Sequence, residues 1–400
     1  MFPNIDIFTL KTSLLLFKLS GIAPFTLNIS KTFRNQNRVL YIPSFRCSSA
    51  STIYNLTLII TCLMLNTYLL YYMSGLDRLF ESEIVHVIEI ALGLIGIFVM
   101  LLIWSYFTYH RRAIVDVANQ LVDIDMILAK HDLRYYQRRH IHFVLIIILN
   151  TAMSLILLVI ELISHDFEIV RIFVLVLPIF VASFTITQYA LVLHLLKPRF
   201  QHLNRALGNI LKEPSEMSFI PRQPVAGKIV DLRRVHGELW ELCQRVADFY
   251  SIPVLFTMIL MSGFIIYSAY DMIIPFVLPL RYKMSILTVS AFTWFMMQSI
   301  PIVVMTTTIS GTIGEMKKVS HVIHKIIAQN EIHRVVRIQL RDFSFEMIEK
   351  KINFTACHLF PLDCTLLPAT FSMTMAYLII LLQLKSRVNP KLDHVHHHNH

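Results

Sequence analysis

Long apolar blocks alternate with polar segments along this 400-residue chain. A helix needs about 20 mainly apolar residues to cross a bilayer. Reading forward, such blocks fall at 51–73, 84–108, 140–161, 170–196, 252–279, 285–309 and 364–385. The pattern predicts an all-α membrane protein with seven transmembrane helices. The polar segments carry a helical period as well. Val319, Val322, Ile323, Ile326 and Ile327 recur at three- and four-residue spacing with Lys and His between them. The stretch 230–256 reads as one helix entering the fifth span without a break. Such extensions would form a helical bundle beyond the membrane, with ordinary solvated amphipathic helices as the alternative.

Composition agrees with the pattern. Hydrophobic residues make up 55% and charged residues 16% of the chain, and the mean hydropathy is +0.60; soluble domains carry about 25% charge. The net charge of +10 does not indicate nucleic acid, because the basic residues are spread over several loops and form no aromatic-interleaved surface. Their distribution instead sets orientation. Of the 36 Lys and Arg residues, 29 lie in 1–49, 109–139, 197–251 and 311–363, all on one side of the seven spans. The positive-inside rule makes that side cytoplasmic, suited to contact with anionic lipid, with the N-terminus inside and the C-terminus outside.

This orientation is opposite to that of a G-protein-coupled receptor, and the DRY and NPxxY motifs are missing from the relevant helix ends. A secondary transporter fits less well, since no repeated half is visible and glycine totals only ten. An enzyme is not expected: His86 and Glu89 are isolated, and no HExxH or GxSxG occurs. Nor is a cofactor or a metal centre. The five cysteines contain no CxxC pair and read as free thiols. The first 30 residues hold no cleavable signal, and LLLF at 14–17 reads as an amphipathic stretch at the membrane surface. Sequons at Asn28, Asn55 and Asn353 fall inside or within the membrane on this topology, and the His-rich tail 393–400 carries no mechanism.

Polar residues inside apolar spans mark candidate chemistry. Tyr267, Tyr270 and Asp271 lie near the outer end of the fifth span, with Tyr267 and Asp271 on one face. Thr293, Trp294 and Gln298 lie in the outer half of the sixth, and His86 and Glu89 in the second. Aromatic planes beside a carboxylate or amide can hold a polar organic molecule. The same residues also fit an interfacial aromatic belt. Glu161, near the outer end of the third span, reads as solvated.

The segment 354–385, FTACHLFPLDCTLLPATFSMTMAYLIILLQLK, resembles the insect gustatory receptor family. The family closes on a helix with Thr-Tyr, five mostly apolar residues and Gln-Phe. Tyr377 and Gln383 match at the family separation, while Ala376 and Leu384 stand where the family has Thr and Phe. The resemblance implies a ligand-gated nonselective cation channel in the plasma membrane of a sensory neuron, with four subunits around one pore. It implies a cytoplasmic region 1–49 and helices one to six with the ligand region in 50–310. Helical extensions of helices four and five fall in 197–251 and anchor helices in 311–363. A pore-lining helix at 364–385 and an extracellular tail at 386–400 complete the chain. Tyr377, Gln383 and Leu384 become pore and gate residues, with Gln383 and Leu384 forming a polar ring beside an apolar one. The implied partners are a small-molecule tastant, membrane lipid and monovalent and divalent cations as permeants. Assembly is as a homotetramer or a heteromer with related receptors. Aromatic and apolar positions outnumber sugar-binding donors in the candidate pocket, which points to a bitter plant compound, with D-fructose or another sugar as the runner-up.

Overall fold

The computed structural model describes residues 4–34, 38–74, 83–130, 140–164, 172–212, 223–277, 284–328, 334–350 and 352–388; the His-rich tail lies outside them. Among the described residues ten α-helices form the body: α1 (Asn4–Leu19), α2 (Ser49–Ser74), α3 (Glu83–Tyr109), α4 (Arg111–Lys130), α5 (His140–Ser164), α6 (Leu177–Lys212), α7 (Gln223–Val277), α8 (Met284–Ile327), α9 (Arg334–Glu349) and α10 (Leu366–Val388). A π-helical turn, Ile172–Val176, leads into α6. Seven of the helices, α2, α3, α5, α6, α7, α8 and α10, are long and apolar enough to cross a membrane.

Two antiparallel ribbons depart from the all-α expectation. β1 (Phe25–Arg34) pairs with β2 (Arg38–Cys47), and the short β3 (Thr355–Ala356) with β4 (Phe360–Pro361). Both lie outside the apolar blocks.

Helices α6, α7 and α8 pack on one another most extensively and form the centre of the molecule. Their lengths explain this. At 1.5 Å per residue α7, with 55 residues, is about 80 Å long, far beyond the ~30 Å of hydrocarbon. Beyond the membrane thickness these helices keep an apolar core. Val319, Ile323 and Ile326 of α8 are buried together with Leu239 and Leu242 of α7 and Leu203 and Leu207 of α6. The remaining members of the α8 stripe, Val322 and Ile327, pack against that core.

Polar contacts fasten this basic end. Arg199 of α6 meets Asp125 of α4 through two contacts, Nε to Oδ1 at 2.8 Å and Nη2 to Oδ2 at 2.5 Å. Pro198 precedes it inside α6 and lacks the N–H of a regular helical residue. The Arg199 guanidinium also donates to the Leu195 carbonyl one turn back.

Glu346 of α9 accepts from Arg233 of α7 and from Lys350, each at 2.5 Å. Partial burial pushes its pKa up, but the hydrogen bonds and charges of Lys350 and Arg233 outweigh that and hold it below the ordinary 4.5. A carboxylate with a depressed folded-state pKa stabilises fully above its unfolded value and loses that contribution as pH falls through the folded one. The melting temperature is therefore expected to fall on acidification from about pH 5 to about pH 3. The fall should be shallower in Glu346→Gln, and equal slopes in the two proteins would remove Glu346 from the acid response.

The N-terminal segment does more than rest on a surface. After α1 the chain turns at Gly21, with φ of +77°, and Ile22 and Ala23 are buried in the bundle. Three neighbouring carbonyls are each read by a different helix. Trp104 Nε1 of α3 donates to Ser20 at 2.8 Å, Asn55 Nδ2 of α2 to Gly21 at 2.8 Å, and Gln188 Nε2 of α6 to Ile22 at 3.3 Å. Asn55, a residue of one sequon, is thus committed to this turn.

Candidate functional site

Two regions carry the candidate chemistry: the polar interior between α5, α6 and α8, and the final helix. In the first, the apolar run of α5 is interrupted by Asn150, Ser154 and Glu161, three- and four-residue multiples that bring them to neighbouring positions along one side. Asn150 Oδ1 accepts from Ser183 Oγ of α6 at 2.6 Å. The Ser154 hydroxyl donates to the Asn150 carbonyl and lies 3.8 Å from the Met297 sulfur of α8.

Glu161 overturns its reading as a solvated residue. It is only 4% exposed, and its Oε1 accepts from Ser290 Oγ at 2.8 Å and Trp294 Nε1 at 2.6 Å. Ser290 and Trp294 are one turn apart on α8, so two donors converge on one carboxylate and replace water. The same hydrogen bond orients the indole, which stacks on Phe264 of α7 with ring centres 5.4 Å apart and planes at 7°. Trp294 therefore joins α5, α7 and α8.

The other candidates are dispersed. Thr293 is buried and spends its hydroxyl on the Val289 carbonyl of its own helix, at 2.8 Å. Tyr270 is buried and Tyr267 and Asp271 are half-buried, all on α7. Glu89 is buried in α3. His86 lies in the first turn of α3, and its side chain falls outside the described residues. Gln298 stands apart: it is 0% exposed, and neither Oε1 nor Nε2 has a hydrogen-bond partner among the described residues. Asn150 Nδ2 is likewise unpartnered. Asn150, Ser183, Ser290 and Phe264 were not singled out from sequence. The polar interruptions of apolar spans were the available signal for the first three; the Phe264 stack had none.

The final helix is built differently. Asp363 Oδ1 accepts from the Thr365 N–H at 3.0 Å just before α10 begins and so caps the helix. Cys364 ties the same point to α8, its N–H donating to Ser310 Oγ at 2.9 Å and its sulfur lying 3.7 Å from the Thr306 carbonyl. From there α10 packs mainly on α7, through one narrow stripe. Thr374 and Leu378 are buried, and Leu366, Thr370 and Leu382 are partly buried at the same four-residue spacing.

Most of the remaining described positions of the helix are exposed, including Phe371, Tyr377, Ile379, Ile380, Gln383 and Leu384. At 100° per residue, Ala376 and Gln383 lie on the side opposite Thr374 and Leu378. Tyr377 and Leu384 share one flank. This is an apolar transmembrane helix with most of its circumference uncovered by the described residues.

Comparison with known proteins agrees with this architecture. The sequence profile of the family described as 7tm chemosensory receptor matches residues 10–387. Gustatory receptor 28a of Drosophila melanogaster is 23% identical, the match covering 78% of this chain and 79% of that protein. The olfactory receptor OR5 of Machilis hrabei superposes with a TM-score of 0.59 at 12% identity, over 94% of this chain and 97% of that one. OR5 in complex with eugenol superposes over the same shares with a TM-score of 0.53 at 13% identity. By a profile match over nearly its whole length, the chain belongs to the 7tm chemosensory receptor family.

Proposed function

We propose that this chain is a gustatory receptor acting as a ligand-gated, nonselective cation channel of the sensory-neuron plasma membrane. The observation that carries the reading is α10, a transmembrane helix pinned at one end, packed along one stripe and bare over the remainder, with Gln383 opposite the stripe. Four such helices around an axis would cover one another and enclose a pore. The basic end of the bundle then lies in the cytoplasm, and the polar interior between α5, α6 and α8 lies toward the outside, where a tastant arrives.

Gln383 supplies a polar ring and Leu384 an apolar constriction that closes by dewetting. Ala376 and Leu384 depart from the family motif, which bears on how tightly the gate shuts. Monovalent and divalent cations are the permeants, since no acidic ring or carbonyl filter occurs in α10. Eugenol, bound by OR5, is a small organic molecule, and a small amphipathic bitter plant compound is the ligand we favour here, ahead of D-fructose or another sugar.

Single-channel recording from the purified protein in bilayers tests the reading. Ligand-evoked discrete openings are expected, with several-fold more basal opening in Leu384→Ala and several-fold lower conductance in Gln383→Leu. Saturable ligand flux without openings would favour a transporter instead.

A further inference from the structure

We propose that Gln298 is the polar anchor of the tastant site and that the site takes a neutral ligand carrying a hydroxyl or carbonyl group, not a cation. The proposal rests on the reading of the chain as a ligand-gated receptor and specifies what that receptor binds.

A fully buried amide with neither atom hydrogen-bonded is costly and unusual. Elsewhere in the same spans the buried hydroxyls are satisfied: Thr185 donates to the Val181 carbonyl, Ser183 to Asn150 and Thr293 to Val289. Gln298 is the exception on α8. Its place sets it beside the contact between α8 and α5. Ser290, Trp294 and Met297 face α5, as their contacts with Glu161 and Ser154 show. Gln298 follows Trp294 by one turn and Met297 by one residue, so it lies one step around α8 from that seam. The second unpartnered amide, Asn150 Nδ2, belongs to the residue whose carbonyl holds Ser154 at the Met297 contact. The Gln298 amide and the Asn150 Nδ2 donor therefore both belong to the helices that meet at this α5–α8 contact, in the middle of the membrane span.

Charge decides the ligand class. Across 144–163, 172–196 and 288–309 there is no Lys or Arg, and the one carboxylate is Glu161. That carboxylate already accepts from Ser290 and Trp294, and it lies about 10 Å along α5 from Ser154. From α5, α6 and α8 a cation seated at Gln298 would meet no carboxylate that is not already engaged, and a carboxylate would meet no cation. The Gln298 amide instead offers an NH2 donor group and a carbonyl acceptor, and Asn150 Nδ2 adds a further donor group. A hydroxyl satisfies both kinds of group, and a carbonyl satisfies the donors.

The test uses full-length protein in nanodiscs and four ring probes of similar size: cyclohexanol, cyclohexanone, cyclohexylamine and methylcyclohexane. Binding is read by thermal stabilisation and tryptophan fluorescence, independently of current. Cyclohexanol and cyclohexanone are expected to bind at least tenfold more tightly than the other two, and Gln298→Leu should abolish that preference. Because leucine removes a buried amide with no partner, the unliganded variant should melt at or above the wild-type temperature, which separates lost recognition from lost folding. Preference for cyclohexylammonium, unchanged selectivity in Gln298→Leu, or no binding of any probe would overturn the proposal. Probe binding that never opens a channel would leave it standing and defeat the channel reading.

Discussion

Replacing Asp125 with alanine is expected to destabilise the receptor by about 3–5 kcal/mol, the cost of leaving a buried charge without its partner. The Arg199 side chain is only 7% exposed and is held by both carboxylate oxygens of Asp125. Without them the guanidinium keeps its hydrogen bond to the Leu195 carbonyl but has no counter-charge. Leucine at 125 combined with methionine at 199 removes both charges and should be milder than Asp125→Ala alone. Thermal or denaturant melting of purified protein measures the difference. A loss below about 1 kcal/mol, the range of surface pairs, would show that water reaches the guanidinium.

Gly21→Ala is expected to cost about 2–4 kcal/mol, from two sources that act at the same atom. A side chain in the left-handed conformation costs about 1–2 kcal/mol, and φ at Gly21 is +77°. The new Cβ would also lie 2.6 Å from Trp104 Nε1 and 2.8 Å from its Cδ1. The indole, buried against the turn, would have to move and give up its hydrogen bond to Ser20, worth about 0.5–1.5 kcal/mol. Trp104→Phe loses that bond without the clash or the strain, so it should cost clearly less than Gly21→Ala in the same melting experiment. Equal losses would mean that the turn relaxes freely and that the hydrogen bond is the whole effect.

The spans were legible because hydrocarbon imposes a length and a composition that a single sequence displays openly. The long reach of α7 was legible for a related reason: VDLRRVHGELWELCQRVADFY keeps a helical period right up to the apolar block. What escaped was pairing. Asp125 and Arg199 are 74 positions apart, and nothing local marks either as the other's partner. Glu161 looked solvated because Ser290 and Trp294, its two donors, lie on a helix more than a hundred residues away. Gly21 is one glycine in an N-terminal stretch that resembles an amphipathic surface helix. Only the approach of Trp104 shows why that position admits no side chain. Within the candidate site, the identity of the polar residues was readable, but which of them were already engaged was not. That distinction separates Thr293 and Trp294, spent on their own fold, from Gln298.

The attachment of α10 at Cys364 gives the last span the mechanics of a lever. Ser310 and the Thr306 carbonyl fix its base to α8, while the far end is retained by little more than the four-residue stripe against α7. From Leu366 to Leu384 the arm measures about 27 Å at 1.5 Å per residue. A tilt of about 10° at the pivot would carry Leu384 through about 5 Å over that arm, comparable to the width of a side chain. Movements of α7 and α8 too small to disturb their own packing are thus magnified along α10, and most at Gln383 and Leu384.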